Sequence, residues 1–94
     1  MVQPTHVDGR QSVRILIYAL STCGWCRRTK ALLNQLGVAY DYIDVDLLVE
    51  PDRSEVAREV EKWNPRRSFP TIVIDEKEVI VGYDEEKLRS VVSK

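Results

Sequence analysis

Two cysteines set three positions apart carry the most evident chemistry in this sequence. They lie in the segment Cys23-Gly24-Trp25-Cys26 and are the only cysteines among 94 residues. A disulfide that closes so small a loop adds little of the chain-entropy stabilisation expected of a structural bridge. In a reducing compartment such a pair is more often catalytic or metal-binding. The spacing therefore indicates either thiol–disulfide exchange or a metal site.

The segments on either side of the pair predict a strand before it and a helix after it. Residues 14–19 (RILIYA) are β-rich and apolar on both faces, which is typical of a strand covered on two sides. Apolar residues then recur at helical spacing from Trp25 to Leu36, and Gly37 is the expected C-terminal cap. Cys23 thus lies at a helix N-terminus, where unpaired N–H groups and the helix dipole favour a thiolate. Three cations follow within the next turns: Arg27, Arg28 and Lys30.

Cys26 lies one helical turn further in, on the same face as Cys23, at a separation that a disulfide can span. In the predicted mechanism the Cys23 thiolate attacks a substrate sulfur, and Cys26 then attacks Cys23 to release the reduced substrate. Trp25 offers an apolar surface to that substrate. One alternative is a pair of small buried residues without chemistry. Another is a zinc site, which needs about four ligands, although the only histidine, His6, lies in the N-terminal segment.

The remaining strands predict an α/β fold of order βαβαββα, with a four-stranded mixed sheet and helices on both faces. A strand over 39–45 completes a parallel crossover, and strands at 71–74 and 78–81 form an antiparallel hairpin. Residues 1–12 are polar and show no periodicity, so we expect a disordered tail. One domain over 13–94 follows.

Two further helices are marked by their capping residues. Asp52 and Glu55 form a predicted capping box at the start of the second helix, which ends at Asn64. Asp84 is the expected N-cap of the third helix, which runs to the C-terminus.

Charge and hydropathy exclude two classes of partner. The 14 basic and 15 acidic residues give a net charge of −1, so no summed field attracts nucleic acid or an anionic membrane. No apolar run approaches the roughly 20 residues needed to cross a bilayer, and the first dozen residues lack the hydrophobic stretch of a secretory signal. We therefore expect a cytoplasmic monomer that binds neither nucleic acid nor membrane.

Three segments resemble the glutaredoxin family, over residues 13–94. The first is the dithiol itself, directly preceded by Thr22, which we assign to the substrate site. The second is 68–71 (SFPT), which is similar to the family's Thr-Val-Pro segment. The resemblance implies that Pro70 is a cis proline against the dithiol and that the Phe69 backbone pairs with a bound thiol peptide.

The third segment is 81–85 (VGYDE), which is similar to the family's Gly-Gly-Cys-Asp-Asp. The resemblance implies that Gly82, Asp84 and the helix N-terminus hold the charged groups at the γ-glutamyl end of glutathione. Tyr83 lies in the same groove, or staples the third helix. Arg67 stands where the family often has a basic residue, although a solvated charged loop is the alternative.

The resemblance implies a thioredoxin fold and a dithiol oxidoreductase that reduces protein or low-molecular-weight disulfides without a resident cofactor, using glutathione or another thiol as co-substrate. Leu20 replaces the family's lysine before the dithiol, and Val81 replaces a glycine. The second hypothesis is therefore the same chemistry with a thioredoxin-reductase-like donor or a different thiol. Gly24 resembles a family branch that binds iron–sulfur clusters through the first cysteine, so a cluster carrier is the third hypothesis. Retention of Cys26 favours the dithiol reductase.

Overall fold

A computed structural model describes residues 2–93, and its five strands form one mixed sheet. In spatial order they are β1, β3, β2, β4 and β5. β2 runs parallel to β3 and antiparallel to β4, while β1 and β5 pair antiparallel with β3 and β4 at the two edges. The strands are β1 (Thr5–Val7), β2 (Ile15–Ala19), β3 (Tyr40–Asp44), β4 (Thr71–Ile74) and β5 (Glu78–Val81).

Three α-helices cover the two faces of this sheet: α1 (Gly24–Leu36), α2 (Asp52–Trp63) and α3 (Glu85–Val92). α1 and α3 contribute to the core cluster that contains Ile17, whereas α2 contributes to the cluster that contains Tyr18. Successive side chains of a strand point to opposite faces, so β2 is buried on both sides, as its sequence predicts. No α-helix among residues 2–93 is long and apolar enough to span a membrane.

Several local predictions are confirmed. Gly37 ends α1 with φ 71°, and its N–H donates to the carbonyl of Asn34. β4 and β5 form the expected antiparallel hairpin. Asp84 caps α3, because its carboxylate accepts the N–H of Lys87 at 3.0 Å. α3 ends at Val92, with Ser93 as its C-cap, and the last residue of the predicted helix, Lys94, lies outside the described residues.

The predicted capping box of α2 is wrong. Asp52 is the first helical residue, the preceding Pro51 carries no side-chain cap, and Glu50 provides the acceptor instead. Its Oε1 accepts the N–H of Ser54 at 3.0 Å and the Ser54 hydroxyl at 2.6 Å. A longer side chain from outside the helix thereby satisfies a first-turn donor. These hydrogen bonds lower the pKa of Glu50.

The N-terminal segment was expected to be disordered, and that prediction is wrong for Thr5–Val7, which form β1. The sheet therefore has five strands instead of four. His6 Nδ1 lies 2.7 Å from Asp41 Oδ1 on β3, and the Ser12 hydroxyl donates to the carbonyl of Val92 at 2.7 Å. All of these partners are distant in the chain, so the segment carries no local periodicity to predict it.

Candidate active site

The turn between β2 and α1 positions the first sulfur. Cys23 is the N-cap of α1, with an extended backbone, and its Sγ accepts the N–H of Cys26 at 3.2 Å. Its own N–H donates to the carbonyl of Leu20 at 3.1 Å, which fixes the turn. The sulfur is only half-buried. A helix N-terminus with an N–H directed at an accessible sulfur stabilises negative charge there, so Cys23 is suited to be a nucleophile.

The second sulfur lies in the core. Cys26 has no exposed surface and belongs to the cluster that contains Ile17 and Leu33. Burial, together with the interaction with Cys23, raises the pKa of Cys26 to about 12. Near neutral pH Cys26 is therefore a protonated thiol that no substrate can reach. The two cysteines are free thiols, one partly exposed and one enclosed.

The loop before β4 brings the predicted Phe69-Pro70 segment to the dithiol. The Cys23 thiol lies 4.0 Å from the carbonyl oxygen of Phe69, toward which it donates. The Phe69–Pro70 peptide bond is cis, as the resemblance implies, and Pro70 is buried. The carbonyl of Pro70 accepts the N–H of Gly82 at 2.8 Å. This bond joins the second and third resembling segments at one edge of the site.

An aromatic platform lies beside the nucleophile. The rings of Trp25 and Tyr83 stack with centroids 5.8 Å apart and an interplanar angle of 25°. The Arg28 guanidinium carbon lies 5.2 Å from the centroid of the Trp25 ring. Trp25 remains 56% exposed, whereas Tyr83 is half-buried against the cluster that contains Leu88. Tyr83 thus packs against the core next to α3 and also stacks on the exposed ring of Trp25.

The other predicted substrate residues lie in the segments that precede α1 and α3. Thr22 is exposed in the turn before the dithiol. Gly82 has φ 84°, a left-handed conformation that favours glycine. The Asp84 carboxylate caps α3 through Oδ1, which accepts the N–H of Lys87. That these residues hold a ligand stays a prediction.

A groove of about 470 Å³ runs from Phe69 toward α2. Its apolar lining includes Leu20 and Phe69, and its charged lining consists of one carboxylate, Asp46, and three arginines, Arg53, Arg66 and Arg67. Arg67 Nε lies 3.7 Å from a carboxylate oxygen of Glu61, in an exposed pair of the kind that contributes little to stability. The arginine that sequence reasoning singled out therefore lines the groove next to Phe69.

Asn64 is a site-supporting residue that the sequence interpretation treated only as a helix end. It is buried, and its Nδ2 lies 3.0 Å from the carbonyl oxygen of Ser68 and 3.1 Å from Thr71 Oγ1. Its Oδ1 accepts the N–H of Arg66 at 3.2 Å. These bonds tie the loop that carries Phe69 to the start of β4. A single buried amide has no periodicity, so no sequence pattern reveals this role.

Two acidic residues, one at the end of β3 and one just after it, were also missed. Asp46 accepts the Ser21 hydroxyl at 2.5 Å and the Ser21 N–H at 2.8 Å, and these bonds lower the pKa of Asp46. They anchor the turn that leads into the dithiol. Asp44 Oδ1 lies 3.2 Å from Lys30 Nζ. Lys30 therefore pairs with β3, while Arg27 donates to the carbonyl of Ser21 at 3.4 Å.

Comparison with known proteins agrees with this geometry. The glutaredoxin family model matches residues 15–79. Methanoredoxin from Methanosarcina acetivorans is similar in structure, with a TM-score of 0.87 and 41% identity over 92% of this chain and 90% of that one. A glutaredoxin from Methanosarcina mazei Go1 gives a TM-score of 0.88 and 40% identity over 99% and 90%. These similarities confirm the predicted thioredoxin fold.

Curated relatives extend the same result. Glutaredoxin-C6 of Oryza sativa subsp. japonica is 32% identical over 68 residues, which are 72% of this chain and 59% of the relative. The matched region thus spans about three fifths of the length of the curated relatives. The family model, in contrast, covers most of the present chain. Taken with the dithiol at the helix N-terminus and the cis proline beside it, these matches show that the chain belongs to the glutaredoxin family.

Proposed function

We propose that this protein is a thiol–disulfide oxidoreductase that reduces protein or low-molecular-weight disulfides through Cys23 and Cys26. The observation that carries the proposal is the contrast between the two sulfurs. Cys23 is accessible and accepts a backbone N–H at 3.2 Å, whereas Cys26 is enclosed and its pKa is raised to about 12. In such a pair the accessible sulfur attacks the substrate first, and the enclosed sulfur then attacks the mixed disulfide.

In the first step the Cys23 thiolate attacks one sulfur of the substrate disulfide and the other sulfur leaves as a thiolate. In the second step the sulfur of Cys26 attacks Cys23, loses its proton and displaces the bound thiol. The enzyme ends as the Cys23–Cys26 disulfide, and the two electrons have passed to the substrate. The backbone of Phe69, whose carbonyl lies against Cys23, is the proposed contact for the substrate chain.

A small acidic thiol is the co-substrate that the groove beside Phe69 favours. Leu20 and Phe69 offer contact to a carbon chain, and the arginines at 53, 66 and 67 can bind a carboxylate. Glutathione fits this description, and Asp84 with the α3 N-terminus suits the amino and carboxylate groups of its γ-glutamyl end. Because Leu20 has no charge to offer, another acidic thiol or a thioredoxin-reductase-like protein remains a second candidate donor.

Steady-state turnover on a glutathionylated peptide tests the activity. We expect Cys23→Ser to abolish turnover, and Cys26→Ser to keep partial turnover on this mixed disulfide while losing turnover on protein disulfides. Ser90→Ala, on the exposed surface of α3, is the control, because it changes a small polar side chain and leaves both thiols in place. A Cys23→Ser variant that retained the wild-type rate would show that the proposed function is wrong.

The donor is tested by comparing initial rates with glutathione and with NADPH plus a thioredoxin reductase. Saturation at low glutathione concentration supports the small-thiol donor, and Arg67→Gln is then expected to raise the glutathione KM. Turnover with the reductase alone supports the protein donor. Arg58→Gln, on the exposed surface of α2, serves as the charge-matched control.

An iron–sulfur cluster carrier remains a separate candidate, because Cys23 is partly exposed and a side chain at Gly24 would meet no atom within 4 Å. No group of three or more His, Cys, Asp or Glu side chains in the described part of the chain could hold a metal ion. Cys23 would therefore share the cluster with thiols from outside the chain. Anaerobic reconstitution followed by a visible spectrum tests this candidate, and a colourless monomer contradicts it.

A further inference from the structure

Lys30 and Asp44 form a largely enclosed ion pair at the end of β3. Their Nζ and Oδ1 atoms are 3.2 Å apart, and the side chains are only 21% and 17% exposed. Lys30 Nζ also lies 3.8 Å from the centroid of the Tyr42 ring. Because a charge removed from water must be paired, these contacts hold the ammonium group in one place.

This ammonium lies on the side of α1 that carries the buried sulfur. Lys30 follows Cys26 by four residues, so the two side chains share a face of the helix, one turn apart. Asp44 pairs in register with Ala19 of β2, and Ala19 belongs to the same core cluster as Cys26. The ion pair therefore lies on the same side of α1 as the enclosed sulfur of Cys26.

Few charged or titratable groups act on Cys26. Cys23 raises its pKa, while the backbone N–H of Leu20 and the charge of Lys30 lower it. Lys30 itself faces Asp44 and Tyr42 from β3. The neighbouring cations of α1 point elsewhere, since Arg27 donates to Ser21 and Arg28 lies over Trp25.

We propose that Lys30, held by Asp44, is a positioning residue for the resolving step, and this inference rests on the proposed function. In that step the sulfur of Cys26 attacks Cys23, and the bond between Cys23 and the substrate sulfur breaks. The proton that Cys26 loses is taken up by the substrate sulfur, and the substrate leaves as a thiol. Lys30 stabilises the negative charge that develops on Cys26 in a site with little water. Asp44 fixes the ammonium group on that side of the helix.

A two-phase reaction with an aromatic disulfide whose free thiolate is coloured separates the steps. The first burst of colour reports the attack of Cys23, and the second reports displacement of the bound aryl thiol by Cys26. In Lys30→Met, which keeps a long side chain over Tyr42, we expect the second phase to slow roughly tenfold at neutral pH, with its pH profile moved to higher pH. The first burst keeps its wild-type rate. Lys30→Arg restores the second phase.

Lys62→Met is the matched control, because Lys62 forms an exposed ion pair with Glu59 on α2. We expect this substitution to change the rate of neither phase. Circular dichroism and thermal melts show that each variant is folded. A folded Lys30→Met variant whose second phase keeps the wild-type rate and pH profile overturns the inference. Absence of the first burst in the wild-type protein contradicts the proposed function, and the inference falls with it.

Discussion

Replacement of Asn64 by alanine removes the buried amide that holds the loop bearing Phe69. Asn64 makes hydrogen bonds with the Ser68 carbonyl, the Thr71 hydroxyl and the Arg66 N–H at 3.0 to 3.2 Å. Each neutral bond contributes about 1 kcal/mol net, so we expect a loss of roughly 3 kcal/mol. For a domain of this size that loss lowers Tm by about 12 to 24 °C.

Differential scanning calorimetry measures this change, and substrate kinetics measure its effect on the site. A loosened loop displaces Phe69 from Cys23, so we expect KM for a mixed disulfide to rise in Asn64→Ala. Asn34→Ala is the control, since Asn34 is exposed and its side chain accepts one hydrogen bond, from Tyr40. A Tm within 2 °C of wild type, with KM unchanged, would show that the Asn64 hydrogen bonds do not hold the loop that bears Phe69. A shift of 2 °C corresponds to less than about 0.5 kcal/mol.

Three other perturbations have defined outcomes. Gly24→Pro places proline at the first position of α1, after a residue with an extended backbone. We expect the free energy of unfolding in a denaturant titration to rise by about 0.5–1 kcal/mol. A lower free energy of unfolding would contradict the placement of the helix start at Gly24. Hydrogen bonds to Asp41 and Asp8 raise the pKa of His6, so attachment of β1 is strongest below about pH 6.5 and weakens as pH rises through the raised value. Amide exchange in β1 should show this pH dependence, and His6→Gln should remove it. Trp25→Ala removes the exposed ring of the Trp25–Tyr83 stack. We expect KM for peptide disulfides to rise roughly three- to tenfold, with little change in Tm. An unchanged KM would exclude a substrate-binding role for Trp25.

Local signals made much of the site predictable from sequence. The placement of Cys23 at a helix N-terminus depends on a strand pattern and a helix pattern that adjoin it, and both are strong. Gly37 and Asp84 mark helix ends through backbone conformation and side-chain capping, which act within a few residues. The Phe69-Pro70 segment was placed beside the dithiol by family resemblance, because no local rule brings residues so distant in the chain together.

The missed features all depend on tertiary partners. β1 is three residues long and is held by Asp41 and by other contacts far along the chain, so it shows no periodicity. Asn64 and Asp46 are single polar residues whose hydrogen bonds exist only once the loops are packed. Lys30 was expected to add charge near Cys23, but the approach of β3 places Asp44 against it. Such pairings are properties of the assembled fold.

Trapping the mixed disulfide tests directly whether Cys23 is the nucleophile and Cys26 the resolving thiol. Cys26→Ser protein is incubated with an excess of a disulfide peptide at neutral pH, and the adduct is mapped by mass spectrometry against Cys23→Ser protein treated in the same way. We expect one adduct, on Cys23, and no modification of Cys26 over the same period, because Cys26 is enclosed and protonated. Modification of Cys26 in the Cys23→Ser protein at a comparable rate would contradict the assignment of nucleophile and resolving thiol.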